Sequence, residues 1–437
     1  MADREALARS PAHELALDCV DAGLDAARPE RAVADACDRD GGVLDVRGDR
    51  YDLADYDRVL VLGAGKATGG LVAALREVLC DRIDDGCVAL PESTDCGPVE
   101  VVVAGHPTPD AGSQTAADRV LELAREADER TLVLAPISGG GSALLAAPAE
   151  GLDFEALRGV TDALVASGAS IDEINAVRKH CSAIKGGRLA RVLAPATVVG
   201  LLVSDVVGDD PSVVASGPLA PDPTTFEEAL DVLDRYDVDA PAVREHLAAG
   251  ASGEREETPK PGDAAFDRVT LHVVANGRTA VDAAATVARG RGYTPLVLST
   301  RIRGEAREAA RTQVAVAEEA LASGDPVEPP AVVLSGGETT VTVRGDGDGG
   351  PNLEFALAAA LEVPEATVLA SVDTDGHDGS TAAAGGLVDA TTVDDVAAAR
   401  EALDRNDALG YLRARDATIE TGATGTNVND LRVLVVG

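Results

Sequence analysis

Two α/β domains with a cleft between them are the fold class that this sequence predicts, on three observations. Apolar runs of strand length alternate with helix-length amphipathic segments through most of the 437 residues, the pattern of a parallel sheet covered on both faces. The length itself exceeds what one hydrophobic core usually organises. The segment AAGASGEREETPKPGDAAFDR (248–268) breaks the alternation with Gly, Pro and charge. That composition marks a linker between a Rossmann-like α/β domain over 1–250 and a C-terminal α/β domain over 251–437.

The elements follow in order. Residues 1–40 read as acidic amphipathic helix. DRVLVLGAG and LVAALREVL give strand, glycine turn and helix; VEVVVAG is a strand and TAADRVLELAREA a helix. TLVLAPISGGG is a strand ending in glycines, ATVVGLLVSDV another strand, and TTFEEALDVLDRY a helix. Past the linker come the strand VTLHVVANG, a helix from Thr279, the strand PLVLST, a helix through 305–322 and the strand AVVLSGG. ETTVTVRG follows so closely that it predicts a tight antiparallel step, and hence a mixed sheet.

Composition excludes several classes of function. Asp plus Glu total 75 against 38 Lys plus Arg, a net charge of −37. Such a chain repels nucleic-acid backbones and anionic lipid, so neither is expected as a partner. The absence of Trp, with only four Phe and five Tyr, leaves little for stacking on bases. The acids are interspersed with apolar periodic segments, which argues for an evenly acidic, hydrated surface working in concentrated salt rather than for disorder. Six Cys with no CxxC pair and no Cys/His cluster read as free thiols in a reducing compartment. No apolar stretch is long enough for a membrane span, and MADREALARS has no apolar signal core, so a cytoplasmic protein is expected.

In open parallel sheets ligands bind beyond the carboxyl ends of strands, and there the sequence concentrates its chemistry. Gly63-Ala64-Gly65-Lys66-Ala67 closes the first clear strand, where small residues let backbone approach an anion and Lys66 supplies one of only four lysines. It is neither a Walker A loop nor a complete GxGxxG. Ser138-Gly139-Gly140-Gly141-Ser142 closes another strand, and consecutive glycines can turn several N–H groups toward one phosphate. Ser204-Asp205 ends ATVVGLLV, a placement that suits a base accepting a hydroxyl proton or a metal ligand. IDEINAVRKHCSAIKGGRLARVL (171–193) carries Arg178, Lys179, Lys185 and Arg188. Helical spacing would set Arg178 and Lys185 on one face as a wall toward an anionic ligand.

In the C-terminal half, Ser335-Gly336-Gly337-Glu338 ends a strand, and Pro351-Asn352-Leu353-Glu354 enters a helix. Asp373-Thr374-Asp375-Gly376-His377-Asp378-Gly379 resembles a calcium loop, but His377 and Ala384 occupy positions where an EF-hand needs oxygen ligands.

Eight segments, in order, carry a family resemblance. They are VLGAGKA (61–67), ISGGGSALL (137–145), NAVRKHCSAIKGGRLA (175–190), SDVVGDDPSVVASGP (204–218), SGGETTVTV (335–343), GGPNLEFAL (349–357), DTDGHDGSTAAAGG (373–386) and TGATGTNVNDL (421–431). Together they resemble the type II glycerate kinases, which include glycerate 2-kinases and proteins once labelled hydroxypyruvate reductases. The acidic composition resembles that of haloarchaeal proteins.

The resemblance implies transfer of the ATP γ-phosphoryl group to the 2-hydroxyl of D-glycerate with Mg²⁺, in an active site between two α/β domains. It makes Lys66 and Asp205 catalytic. Gly63, Gly65, Ser138, Gly139, Gly140, Gly141, Ser142, Gly337, Glu338 and Asn352 become the expected phosphate and nucleotide contacts, and Arg178 and Lys185 the expected substrate contacts. The metal ligands are unassigned, and a homodimer stays open.

Two positions depart from the family pattern. Relatives commonly place Arg where this chain has Pro351 and Gln where it has Leu353, leaving Arg344 or Arg178 to supply that charge. Relatives also often read SDVPGDD, where this chain has Val207. The alternative activity is an NAD(P)-dependent hydroxypyruvate reductase. That would need a dinucleotide fingerprint with an acidic residue about 20 positions on, which GAGKATGG lacks. A non-catalytic nucleotide-binding protein is the third reading.

Overall fold

The computed structural model describes Met1 and residues 4–437. It divides into two compact units, Ala32–Val274 and Met1–Arg31 with Ala275–Gly437.

The first unit opens with an antiparallel meander of β1 (Cys37–Asp40), β2 (Val43–Val46) and β3 (Asp49–Asp52). Its main sheet contains β4 (Arg58–Ala64), β5 (Asp85–Leu90), β6 (Glu100–Val103), β7 (Thr131–Ser138), β8 (Thr197–Val203) and β9 (Val269–Ala275), in the order β6-β5-β4-β7-β8-β9. The pairs among β4 to β8 are parallel. Every residue of β7 is buried, which is why it reads as an unbroken apolar run rather than an alternating one. Leu60, Leu62, Val133 and Val198 pack with Val120 and Leu189 from the covering helices. Truncating such a residue, Leu60→Ala for instance, costs about 2–5 kcal/mol. The chain runs outward from β4 through β5 to β6, then returns to the other side of β4 for β7 and β8. The order therefore reverses between β4 and β7.

Beside this sheet the helices Phe154–Ala166, Ile171–His180, Phe226–Arg235 and Pro241–Ala251 form a satellite cluster. Leu157, Leu164, Val177, Phe226, Leu233 and Leu247 are its buried core. Three of the helices start with capping side chains of Asp153, Ser170 and Thr225, each satisfying an otherwise unpaired N–H.

The units are divided elsewhere than at residue 250. The stretch 248–268 lies inside the first unit: Glu257 Oε1 is 2.8 Å from His180 Nε2, and Thr258 Oγ1 donates to Asp222 Oδ2 at 3.0 Å. β9 then completes the first sheet beside β8. Gly, Pro and charge marked an irregular, well-anchored segment, not a boundary, because composition registers lost periodicity and is blind to tertiary pairing. The N-terminal residues also change unit. The helix Pro11–Ala26 packs on the helix Gly277–Gly290, with Cys19 Sγ donating to Ala284 O at 3.5 Å.

The second unit holds β10 (Thr294–Ile302), β11 (Ala331–Gly337), β12 (Thr367–Asp373), β13 (Gly385–Asp389), β14 (Thr418–Ile419) and β15 (Asp430–Val436), in the order β10-β11-β15-β12-β13-β14. β10 and β11 are parallel and the remaining pairs antiparallel. The mixed sheet is as expected, but its antiparallel partner for β11 is the C-terminal β15. Residues 338–343 form no strand, and Thr340 makes only an isolated bridge to Glu305. The helix Pro351–Ala360 is buried almost all round, with Leu353, Phe355 and Leu357 packed on Leu369 and Leu434.

All six cysteines are free, and all but Cys80 are buried. Burial pushes Cys19, Cys87 and Cys181 up to about 12, so these thiols are unreactive. Among the described residues no helix is long and apolar enough to cross a membrane.

Candidate active site

The reversal of strand order between β4 and β7 is a topological switch point, where loops at adjacent strand ends diverge and leave a crevice. The loops after β4, β7 and β8 meet there, and they are the three that carry Gly65-Lys66, Gly139–Gly141 and Asp205. Contact between them is close. Lys66 N donates to Gly139 O at 2.9 Å, and Ala67 N donates to Ser138 Oγ at 3.0 Å. Gly65 has φ +140°, and a β-carbon there would fall 2.1 Å from Ser138 Oγ. Ser138 is thus a brace between loops, its hydroxyl committed to backbone. A β-carbon on Gly139 would fall 2.0 Å from Asp205 Oδ2, so only glycine lets the β7 loop pass this carboxylate.

Asp205 is partly buried. Burial raises its pKa above the usual carboxylate value, while its own backbone N–H and the Lys66 ammonium pull it partway back. Lys66 is exposed, and its charge also adds to burial in depressing His106. A desolvated carboxylate, a nearby ammonium and backbone free of side chains are what phosphoryl transfer to a hydroxyl requires. The supporting shell is strained. Ala215 and Ser216 adopt left-handed φ of 51° and 62°, at about 1–3 kcal/mol each. Ser216 Oγ donates to Asn175 Oδ1 at 3.0 Å and lies 2.8 Å from Ser142 Oγ, tying the strained turn to the glycine loop.

The cationic segment 171–193 is sorted by the structure into different tasks. Lys179 pairs with Asp222 at 3.2 Å, both side chains buried. Lys185 is buried and donates to Ser142 O at 2.8 Å and Leu145 O at 2.7 Å. Burial and the nearby Arg178 charge push Lys185 down to about 7. Lys185 therefore fastens the turn after the glycine loop, whereas the sequence assigned it to substrate. Arg178 makes no side-chain hydrogen bond or ion pair among the described residues. It faces a cavity of about 500 Å³ that Gly140, Ser142 and His106 also line. Burial depresses its pKa and the Asp162 carboxylate opposes this. His106 and Asp162 gave no sequence signal, because neither lies in a glycine-rich strand end.

Gly337, Glu338 and Asn352 belong to the second unit. Gly337 and Asp373 both stand opposite Asp430 in register, so the ends of β11 and β12 meet the start of β15. Asn352 Nδ2 donates to Asp430 Oδ1 at 2.7 Å, and Ser371 Oγ donates to Asn352 Oδ1 at 2.7 Å. Asn352, expected to touch nucleotide, has its side chain committed to protein. Asp378 accepts from Asn352 N at 2.9 Å and Leu353 N at 2.7 Å. Burial outweighs those donors and pushes it up to about 7. Arg432, fully buried on β15, pairs with Asp430, donates to Thr339 Oγ1 at 2.8 Å and stacks 4.5 Å from the Phe355 ring centroid. Its immediate neighbours in sequence, Leu431 and Val433, are apolar strand residues, so it carries no local sequence signal. Arg344 is exposed, so Arg178 is the one of the two proposed arginines that faces a cavity. Among the described residues no group of three or more His, Cys, Asp or Glu is arranged to hold a metal ion.

Two family models match the chain. A domain of unknown function, DUF4147, matches residues 15–248, and the MOFRL family matches residues 331–430. A D-glycerate 2-kinase of Thermotoga maritima is 39% identical over 428 residues, covering 96% of this chain and 97% of that protein. A protein of Agrobacterium vitis with a provisional hydroxypyruvate reductase name is 41% identical over 391 residues, covering 87% of this chain and 100% of its own. The crystal structure of a glycerate kinase from Thermotoga maritima superposes with a TM-score of 0.84 at 37% identity, covering 97% of this chain and 99% of that one. Full-length identity at this level, over the same two α/β units, makes this chain a member of the glycerate kinase family built from the DUF4147 and MOFRL modules.

Proposed function

We propose that the protein is a glycerate 2-kinase, transferring the γ-phosphoryl group of ATP to the 2-hydroxyl of D-glycerate. The contact of Asp205 with Gly139 carries this reading. It sets a desolvated carboxylate directly against side-chain-free backbone at the switch point, with Lys66 on the neighbouring loop. Asp205 would accept the proton of the attacking hydroxyl, because a carboxylate with a raised pKa is a stronger base than an ordinary one. Lys66 would hold the charge that develops on the transferring phosphoryl oxygens. Arg178, which makes no side-chain hydrogen bond or ion pair among the described residues, offers its guanidinium to an anionic group of the substrates.

Mg²⁺ fits in a restricted way. No protein cage exists for it among the described residues, and Mg²⁺ commonly takes one or two carboxylates beside nucleotide phosphates and water. Asp205 is the carboxylate placed to contribute. The ion's chemistry would be to neutralise the β- and γ-phosphate oxygens. We further propose a cytoplasmic setting of high salt, consistent with six free cysteines and a charge of −37.

The product tests this reading. With ATP and D-glycerate, enolase added alone should convert the product to phosphoenolpyruvate. A signal that appears only after phosphoglycerate mutase is supplied would mean 3-phosphoglycerate and overturn the 2-kinase assignment. The glycerate kinase relatives do not favour the reductase alternative, although the Agrobacterium vitis relative carries a hydroxypyruvate reductase name. Hydroxypyruvate-dependent NADH oxidation without any glycerate-dependent ADP formation would overturn the kinase reading.

A further inference from the structure

The cavity beside the β7 glycine loop is far larger than the acid it would serve. Its volume of about 500 Å³ lies within the roughly 300–1,000 Å³ of sites for drug-sized ligands. A three-carbon acid would leave most of it empty. The lining changes character along its length. Gly140 and Ser142, which belong to the glycine loop, form one part together with Arg178. Leu157, Val165 and Ala166 form another, all from the helix Phe154–Ala166. Thr161 and Asp162, which fall between them on that helix, also line the cavity.

We propose that this cavity is the nucleoside subsite of the phosphate donor. The purine would lie against Leu157, Val165 and Ala166, and the ribose hydroxyls would meet Asp162 and Thr161. The inference rests on the kinase reading above. A flat base suits a wall that is apolar over most of its extent, because aromatic faces need burial rather than hydrogen bonds. A longer polyhydroxy acid suits it less, since each additional hydroxyl removed from water needs a partner and the helix side of the lining supplies Thr161 and Asp162 beside three apolar side chains, with His106 and Thr108 elsewhere in the cavity. Position supplies the second argument. Gly140 lines the cavity and abuts Lys66: a β-carbon on Gly140 would stand 3.3 Å from Lys66 Cγ. A nucleoside here would therefore feed its phosphates toward Lys66 and Asp205. Arg178 would meet the polyphosphate on the way, which accounts for a desolvated guanidinium that makes no side-chain hydrogen bond or ion pair among the described residues. Glycerate then lies on the Asp205 side of Lys66 rather than on the cationic helix.

The test fills the cavity from its exposed wall. Ala166 is exposed, so Ala166→Trp adds an indole without disturbing a packed core. The probe is ADP alone, titrated calorimetrically without glycerate, alongside steady-state kinetics for both substrates. The expected result is an increase of about tenfold or more in both the ADP Kd and the ATP KM, with the glycerate KM changed less than about twofold. Asp162→Ala is the second variant. It should abolish the preference of the wild type for ADP over 2′-deoxy-ADP. A rise in glycerate KM with unchanged ADP affinity would overturn the proposal and make the cavity an acceptor site. No change in either affinity would overturn it as well. A wild type that binds ADP, loses it in Ala166→Trp, yet never phosphorylates glycerate would uphold the subsite and reject the kinase reading.

Discussion

Gly139 and Asp205 stand so close that a single added methyl group would strike the carboxylate, 2.0 Å from Oδ2. Gly139→Ala should therefore displace Asp205 and lower kcat by about 10²-fold, the cost of roughly an ångström of misplacement at a reacting group. Asp205→Asn should lower kcat further, with nucleotide affinity preserved, because it removes the proposed base while keeping its shape. Near wild-type turnover in Gly139→Ala would show that Asp205 need not remain where the fold puts it.

Lys66→Ala should lower kcat by about 10²–10³-fold, the range for loss of one charge-stabilising donor. The fold should survive, because Lys66 contributes its backbone N–H to Gly139 O and alanine retains that bond. A variant with unaltered turnover would reduce Lys66 to an exposed turn residue.

The pH profile of kcat/KM should carry the signature of Asp205. A base must be deprotonated to act, and burial holds this carboxyl above its usual value of 3.8. Activity should thus rise with pH along an acid limb whose midpoint lies above 3.8. Removing the Lys66 ammonium removes a charge that favours ionisation, so the limb in Lys66→Ala should move to still higher pH. A limb that moves down would contradict the electrostatic coupling of the two residues.

Asp378 gives a stability prediction of the opposite slope. Its carboxyl titrates near 7 in the folded chain against 3.8 for the free group, so the folded state holds a proton that the unfolded state has lost. The contribution is complete below about pH 4 and disappears as pH rises through 7. Melting temperature should fall across that interval, and Asp378→Asn should flatten the fall. Equal slopes in the two proteins would place the titration elsewhere.

Salt is the last lever. A net charge of −37 repels itself over a screening length of about 10 Å at 0.1 M salt but only about 3 Å at 1 M. Melting temperature and turnover should both increase from dilute buffer to molar KCl. Identical values at about 50 mM and 2 M would remove the case for adaptation to salt.

The sequence by itself determined the local chemistry. Apolar strands ending in Gly63–Ala67, Ser138–Ser142 and Ser204-Asp205 could be recognised because glycine, lysine and aspartate at strand ends have local physical meanings. The alternation that predicted parallel α/β architecture was equally local. Adjacency was not. Only the strand order β5-β4-β7-β8 makes three loops, spread over more than a hundred residues, into neighbours. The cationic segment 171–193 shows the same division: its charges were visible, but pairing Lys179 with Asp222 and Lys185 with two carbonyls while leaving Arg178 to a cavity depended on distant partners. Residues 248–268 had the composition of a linker and became part of a packed unit, and pairing β15 with β11 brought the buried Arg432 to Thr339. Propensity and periodicity act over a few residues, whereas burial and ion pairing are settled by whichever residues the completed fold brings together.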